Sequence, residues 1–517
     1  MNRRDYIKAS LLAVGAVGLP SLQAQDTGVH HPTSFPSVPP RTNGEPMPNI
    51  LWICTDQQRA DTIGGFNNDN IYTPRLRQFV DDSVIFANAF VQTPICSPSR
   101  ASFLTGRYPH VTGLRANGQR IRPSERLVTR ILADHGYTCG LVGKLHLSPC
   151  ADGRVEQRID DGYEMFRWSH DLEDDWPGQN MWRVWLERQG VTWPERPKSF
   201  ARTKVRGVAI DPRYTQTAWC AEEAISFLKQ KKPLSPWLMS VNIVQPHHPF
   251  EPTEEYFSRY SADKLPDPIY TEGELEAKPI YQRIDHQGTY GGTNISFAEE
   301  TAAEHREVTA AYYAMIEQID TAVGQMLDAL DESGQADNTI VIFMSDHGEM
   351  LGDHGIYLKG PYFYDCLTRV PLIVRWPKRF KKGLKVDALV ELVDLAPTLL
   401  EAAGIPVEVG MQGRSLMNLL TRKTSQHRSS VFCEYLDAQA LYDTPPICSS
   451  VRNDRYKVAY YRGISTGELY DLQNDPCETH NLWASVHHTD VREQMMTLLV
   501  DSMLATTDPL PQRLALW

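Results

Sequence analysis

What this sequence lacks narrows the field before any motif is read. Beyond the first 25 residues no apolar run is long enough to cross a bilayer, so the mature chain is expected to be soluble and not an integral membrane protein. Positive charge is in deficit, with 52 basic against 64 acidic residues and a formal net charge of -12, which argues against a nucleic-acid binder. An anionic small substrate stays possible, because a local cationic pocket can sit on an acidic protein. No CxxC pair suggests a zinc ribbon. The nine cysteines are scattered and odd in number, which leaves at least one thiol for other chemistry even where export permits disulfides. There is no internal repeat, and no low-complexity tract after the leader.

What is present reads as an ordinary globular protein. Apolar residues make up 41% and charged residues 22%, so disorder is not indicated. At 517 residues a large domain with a smaller companion is expected. Arg3 and Arg4 precede an apolar run from Ala9 to Leu19, and Ser21-Leu22-Gln23-Ala24 offers a small-residue cleavage site. This is the layout of an export signal over residues 1–24, similar to the twin-arginine type. Residues 25–46, rich in Pro, Thr, Ser and Gly, read as a linker. The expected destination is the periplasm or the exterior of a bacterium.

From 47 to 420 strands and helices alternate, which predicts an α/β fold with helices covering both faces of a mostly parallel sheet. Four nearly continuous apolar runs read as buried parallel strands: Asn49–Cys54, Cys139–Val142, Trp237–Val244 and Thr339–Met344. Val308, Tyr312, Ile316, Ile319, Val323, Met326 and Leu330 share one face of a long helix, with Gly334 as its terminating cap. From 421 to 517 short strands and a final helix from Asp490 to Leu504 predict a smaller α+β domain. Cys54 and Cys139 sit inside strands and are expected in the core.

Polar residues gather just after the four strands. Asp56 and Gln57 follow the first, Lys144 and His146 the second, His247 and His248 the third, and Asp346 and His347 the fourth. In an open α/β sheet the carboxyl ends of the strands form the ligand crevice. Hard oxygen ligands suited to calcium or magnesium, imidazoles and ammonium groups are therefore predicted to meet at one edge. Asp56, Gln57 and Asp346 are the candidate metal ligands. Arg100, Lys144 and Lys359 form a candidate cationic cradle.

The fifth element is Cys96-Ser97-Pro98-Ser99-Arg100, followed by Thr105-Gly106-Arg107. This core resembles the signature of the type I sulfatases of the alkaline phosphatase superfamily. Thr55-Asp56-Gln57-Gln58-Arg59, Gly143-Lys144-Leu145-His146, Pro246-His247-His248-Pro249, Ser345-Asp346-His347-Gly348-Glu349, Leu358-Lys359-Gly360 and the late Glu468-Leu469-Tyr470-Asp471-Leu472 extend the resemblance over nearly all of the mature chain. It implies an alkaline-phosphatase-like fold that hydrolyses sulfate esters, with Cys96 oxidised to formylglycine by a formylglycine-generating or anaerobic sulfatase-maturing enzyme.

The same resemblance implies the individual roles. Asp56, Gln57, Asp346 and His347, with the side chain at position 96, would hold the cation. Arg100 would steady the hydrated aldehyde, His146 would act as the base that collapses the intermediate, His247 as the acid for the leaving alcohol, and Lys359 would assist at the bridging oxygen. The helix expected from Ser99 onward would offer its N-terminal amides to the anion. A sulfated oligo- or polysaccharide is the expected substrate, and His110, His248, Trp168 and His170 are candidate substrate contacts. Residues 151–205, which include Trp176, Trp182 and Trp185, suit sugar stacking, although packed tryptophans would give the same pattern.

Two positions depart from many relatives: Gln57 where a second aspartate is common, and His347 where Asn is common. This pairing resembles a subset that includes phosphonate monoester hydrolases and some choline sulfatases. It makes the site more tolerant of Mn2+ or Zn2+ beside Ca2+. A phosphonate or phosphate ester hydrolase with the same nucleophile is the rival enzyme, and a non-catalytic sulfated-glycan binder the rival of another class.

Overall fold

Eight strands form the main sheet of the computed structural model, which describes residues 46–150, 154–170, 179–192, 210–230, 235–439 and 441–511. The expected export signal and linker, and Asp171, Asp174, Asp175 and Trp176, lie outside the described residues. Across the sheet the order is Leu384–Val386, Val84–Phe86, Leu372–Arg375, Thr339–Ser345, Asn49–Thr55, Trp237–Ile243, Thr138–Gly143 and Tyr163–Trp168. Only Leu372–Arg375 runs against its neighbours. The four apolar runs singled out above are adjacent, parallel and in the middle.

Their continuous hydrophobicity follows from burial on both faces. Along Asn49–Thr55, Ile50, Trp52 and Cys54 enter one core, with Leu132, Leu395 and Leu399. Leu51 and Ile53 enter the other, with Trp219, Phe227 and Tyr312. Period-two alternation thus feeds two helical layers at once. The helix Ala302–Glu332 spans 31 residues on the second face and starts in a capping box of Thr301 and Glu304. Val308, Tyr312, Ile316, Ile319, Val323, Met326 and Leu330 are all buried there, and Gly334 takes φ +70 just past its end.

Downstream, Val431–Leu436, Ile447–Arg452, Tyr456–Tyr461 and Glu468–Asp471 form an antiparallel sheet. The helix Thr489–Ala505 covers it through Met495 and Leu499. No helix of the described residues is long and apolar enough to cross a membrane, and none of the nine cysteines is in a disulfide.

Candidate active site

Three of the four central strands run straight into site residues, because parallel neighbours end at the same edge. Thr55 pairs with Ser345 and with Ile243, so Asp56 and Asp346 leave the sheet side by side. Lys144 follows Gly143, whose φ of +98 and close approach to Asn242 (an added Cβ would lie 1.9 Å from its carbonyl oxygen) admit no side chain. Cys96 reaches the same edge from a helix. That helix begins at Cys96 and runs to Thr105, not from Ser99 as expected, so the thiol stands in the first turn itself.

Around the buried Cys96 Sγ lie Lys359 Nζ at 2.8 Å, His347 Nε2 at 3.1 Å and Asp56 Oδ1 at 3.7 Å. Arg100, one turn along the helix, bridges both aspartates: its Nε donates to Asp346 Oδ2 at 2.8 Å and an Nη to Asp56 Oδ2 at 3.2 Å. Lys144 Nζ lies 2.7 Å from the same Asp56 oxygen. Burial alone would raise the Asp56 carboxyl, but Lys144, His247 and Arg100 hold it well below the usual carboxylate range. Burial, then Asp56, raises the Cys96 thiol to about 11.

His347 Nδ1 lies 2.8 Å from the Gly348 carbonyl, which makes Nδ1 the donor and turns the Nε2 lone pair toward Cys96 and the aspartates. Its pKa falls to about 4, through burial and then Lys359. One ligand atom from each of Asp56, Cys96, Asp346 and His347 fits within 4.8 Å of the others. Gln57 joins them with its amide oxygen 3.0 Å from Lys359 Nζ and its backbone N–H 3.1 Å from Asp346 Oδ1. Gln57, His146 and Leu358 all have positive φ, a strain concentrated at this edge.

His247 Nε2 lies 3.1 Å from Lys359 Nζ, and its ring stacks on His248 at 4.1 Å between centroids. Both imidazoles are half-buried, at the rim. His146 is buried, its Nδ1 makes no hydrogen bond, and its pKa is driven well below the ordinary value by burial and then Lys144. His170 packs edge-on against it at 4.7 Å between centroids.

Two expected substrate contacts are corrected. Trp168 is 2% exposed and donates its indole N–H to Glu156, so it presents no face to a sugar. His110 uses Nδ1 on Glu434 and Nε2 on the Thr506 carbonyl, tying the helix Pro109–Thr112 to the C-terminal region. Trp182 and Trp185 are likewise packed, against the Tyr214 carbonyl and Glu222. Apolar packing, not stacking on sugar, explains the described tryptophans of that segment.

Sequence reasoning missed three positioning groups. Glu156 accepts from the backbone N–H groups of His146 and Leu147, and so holds the imidazole. Glu349 accepts from Leu351, Leu358 and the Gln57 amide. Tyr290, itself at φ +59, sets its ring 5.6 Å from that of His248. Glu349 stood within a quoted motif; Glu156 and Tyr290 carried no local signal.

Comparison with known proteins bears on this arrangement. The sulfatase family model matches residues 48–405, and a second model, N-sulphoglucosamine sulphohydrolase, C-terminal, matches residues 352–504. The chain is 28% identical over 488 residues to an arylsulfatase of Clostridium perfringens, covering 88% of this chain and 94% of the relative. It is 22% identical over 518 residues to an N-acetylglucosamine-6-O-sulfatase of Bacteroides thetaiotaomicron, covering 90% and 87%. The solved phosphonate monoester hydrolase of Silicibacter pomeroyi shares the fold, with a TM-score of 0.78 at 24% identity over 89% of this chain and 96% of that one.

Proposed function

The chain belongs to the sulfatase family, and we propose that it hydrolyses sulfate monoesters on a carbohydrate, using formylglycine made from Cys96 and one divalent cation, calcium first. Export to the periplasm or beyond, maturation by a formylglycine-generating or anaerobic sulfatase-maturing enzyme, and a sulfated oligo- or polysaccharide substrate belong to the same reading. The sugar is supported by the N-acetylglucosamine-6-O-sulfatase among the relatives.

The donor set suits a hard cation: two carboxylates, the Gln57 amide oxygen, and a His347 lone pair oriented by its own backbone hydrogen bond. When present, the cation would neutralise sulfate oxygens and acidify the hydroxyl that hydrated formylglycine supplies as nucleophile. The protein's own groups account for the rest. Arg100 locks both aspartates in place through its fork. Three cations (Arg100, Lys144, Lys359) face two aspartates, an excess of formal positive charge that draws in an anionic ester. His146, neutral and with an unused Nδ1, is placed to take a proton. Lys359 Nζ shares a hydrogen bond with His247 Nε2, and this pair would deliver the proton to the departing alcohol.

The observation that carries the reading is the convergence of Lys359, His347 and Asp56 on Cys96 Sγ at the head of a buried helix. Gln57 and His347 keep a phosphonate-ester reading alive beside it. The test is purified enzyme with the Cys96 peptide weighed by mass spectrometry, assayed on matched aryl sulfate and aryl phosphonate esters and on defined sulfated saccharides. Formylglycine at 96 with a preference for sulfates is expected. Unmodified thiol in fully active enzyme, or a preference for the phosphonate, would overturn it.

A further inference from the structure

Beside the reacting edge lies a second constellation of ligating side chains, of a softer chemical kind. His146, Cys150 and His170 are all buried, and one ligand atom of each lies within 4.8 Å of the others. His146 Nδ1 has no hydrogen-bond partner, and leaving such a buried group unsatisfied costs about 1–3 kcal/mol. The cluster is built from two segments: the loop after Thr138–Gly143 carries His146 and Cys150, and His170 follows the Tyr163–Trp168 strand. Glu156 joins them, accepting from the His146 backbone N–H at 2.8 Å and from the Trp168 indole at 3.0 Å.

We propose that His146, Cys150 and His170 form a soft-metal site, for Zn2+ first, whose occupancy inhibits the enzyme by withdrawing His146 from the reaction. Two imidazoles and a thiolate leave one open position on a tetrahedral zinc ion. Thiolate and imidazole favour such a metal, whereas the carboxylate and amide oxygens of the neighbouring site favour calcium or magnesium, so the two sites sort metals by ligand softness. On binding, the Cys150 S–H proton leaves to solvent as the S–Zn bond forms, with no change of oxidation state. The nearby Lys144 ammonium is already paired with Asp56 at 2.7 Å, and the Glu156 carboxylate adds negative charge beside the dication. Burial keeps both imidazoles uncharged, with lone pairs available. The inhibition rests on the base role proposed for His146; the metal site does not.

The experiment uses Co2+ as a spectroscopic probe on full-length protein carrying Cys96→Ser, which removes the nucleophile's own thiol, in saturating Ca2+. A near-ultraviolet thiolate-to-cobalt band with tetrahedral visible bands is expected, saturating at one equivalent and absent from Cys96→Ser/Cys150→Ser. His170→Asn in the same background should weaken Co2+ binding roughly tenfold or more. A band that survives loss of Cys150, or no band in protein whose circular dichroism matches wild type, overturns the site. In parallel, wild type and Cys150→Ser are assayed on an aryl sulfate with rising Zn2+. The variant should keep the uninhibited rate and resist Zn2+ about tenfold better. Equal sensitivity overturns the inhibition while the cobalt result still decides the site, and absent sulfatase turnover would fail the proposed function alone.

Discussion

Replacing Asp285 by Asn should make the protein more stable at pH 8 while changing little at pH 4. Asp285 lies on the helix Ile280–Gln287, fully buried, with no ion pair among the described residues. One carboxylate oxygen accepts from the Gly291 N–H at 3.0 Å, the other from the hydroxyls of Tyr442 at 2.7 Å and Tyr362 at 3.2 Å. These bonds favour the charged form, but burial outweighs them and lifts the pKa from 3.8 to about 7. The folded state therefore holds the proton more tightly than the unfolded chain. Its cost to stability is nil below pH 4, grows as the pH rises through the window from about 4 to 7, and is constant above. Just over three pH units at 1.36 kcal/mol each make about 4 kcal/mol in all, of which about 3 kcal/mol falls between pH 5 and pH 8. Asn keeps an acceptor for Gly291 and a donor that either tyrosine oxygen can receive, without the charge. Urea unfolding followed by tryptophan fluorescence, with wild type and Asp285→Asn compared at pH 5 and pH 8, measures the difference. A gap between the two proteins that stays constant to within about 1 kcal/mol across that range would show that Asp285 is solvated or paired, and the reasoning would fail.

Four further outcomes are expected. His247→Ala or Lys359→Ala should slow a sugar sulfate about a hundredfold more than an activated aryl sulfate, whereas His146→Ala should slow both alike; equal losses from His247→Ala would remove it from the acid role. Chelation followed by dialysis should abolish turnover and calcium should restore it; full activity in protein shown metal-free by elemental analysis would refute the site. Glu156→Gln leaves one of three donors facing an amide N–H2, costing about 1–3 kcal/mol of local order. It should lower kcat with little change in KM, and a change confined to KM would deny that Glu156 acts through His146. Gly143→Ala drives a methyl into the Asn242 carbonyl at a positive φ; a loss of roughly 3 kcal/mol is expected, and an unchanged Tm would contradict it.

The sequence by itself determined the central strands, because residues buried on both faces must be continuously apolar, and it determined the chemistry at their ends, because Asp56, Lys144, His247 and Asp346 each follow such a run directly. The long helix was equally legible: seven apolar residues at helical spacing have no other way to share a face. What the tertiary structure decided is which of these groups touch. The order of the strands is set by long-range pairing, and it alone puts the loop carrying Lys359 within 2.8 Å of Cys96. Trp168 shows the limit most plainly. A tryptophan that packs and one that stacks on a sugar have the same composition and spacing, and only the indole bond to Glu156 distinguishes them. Glu156 was invisible for a related reason: its partners are backbone N–H groups, which every residue possesses, so no pattern of side chains announces where a carboxylate will be needed.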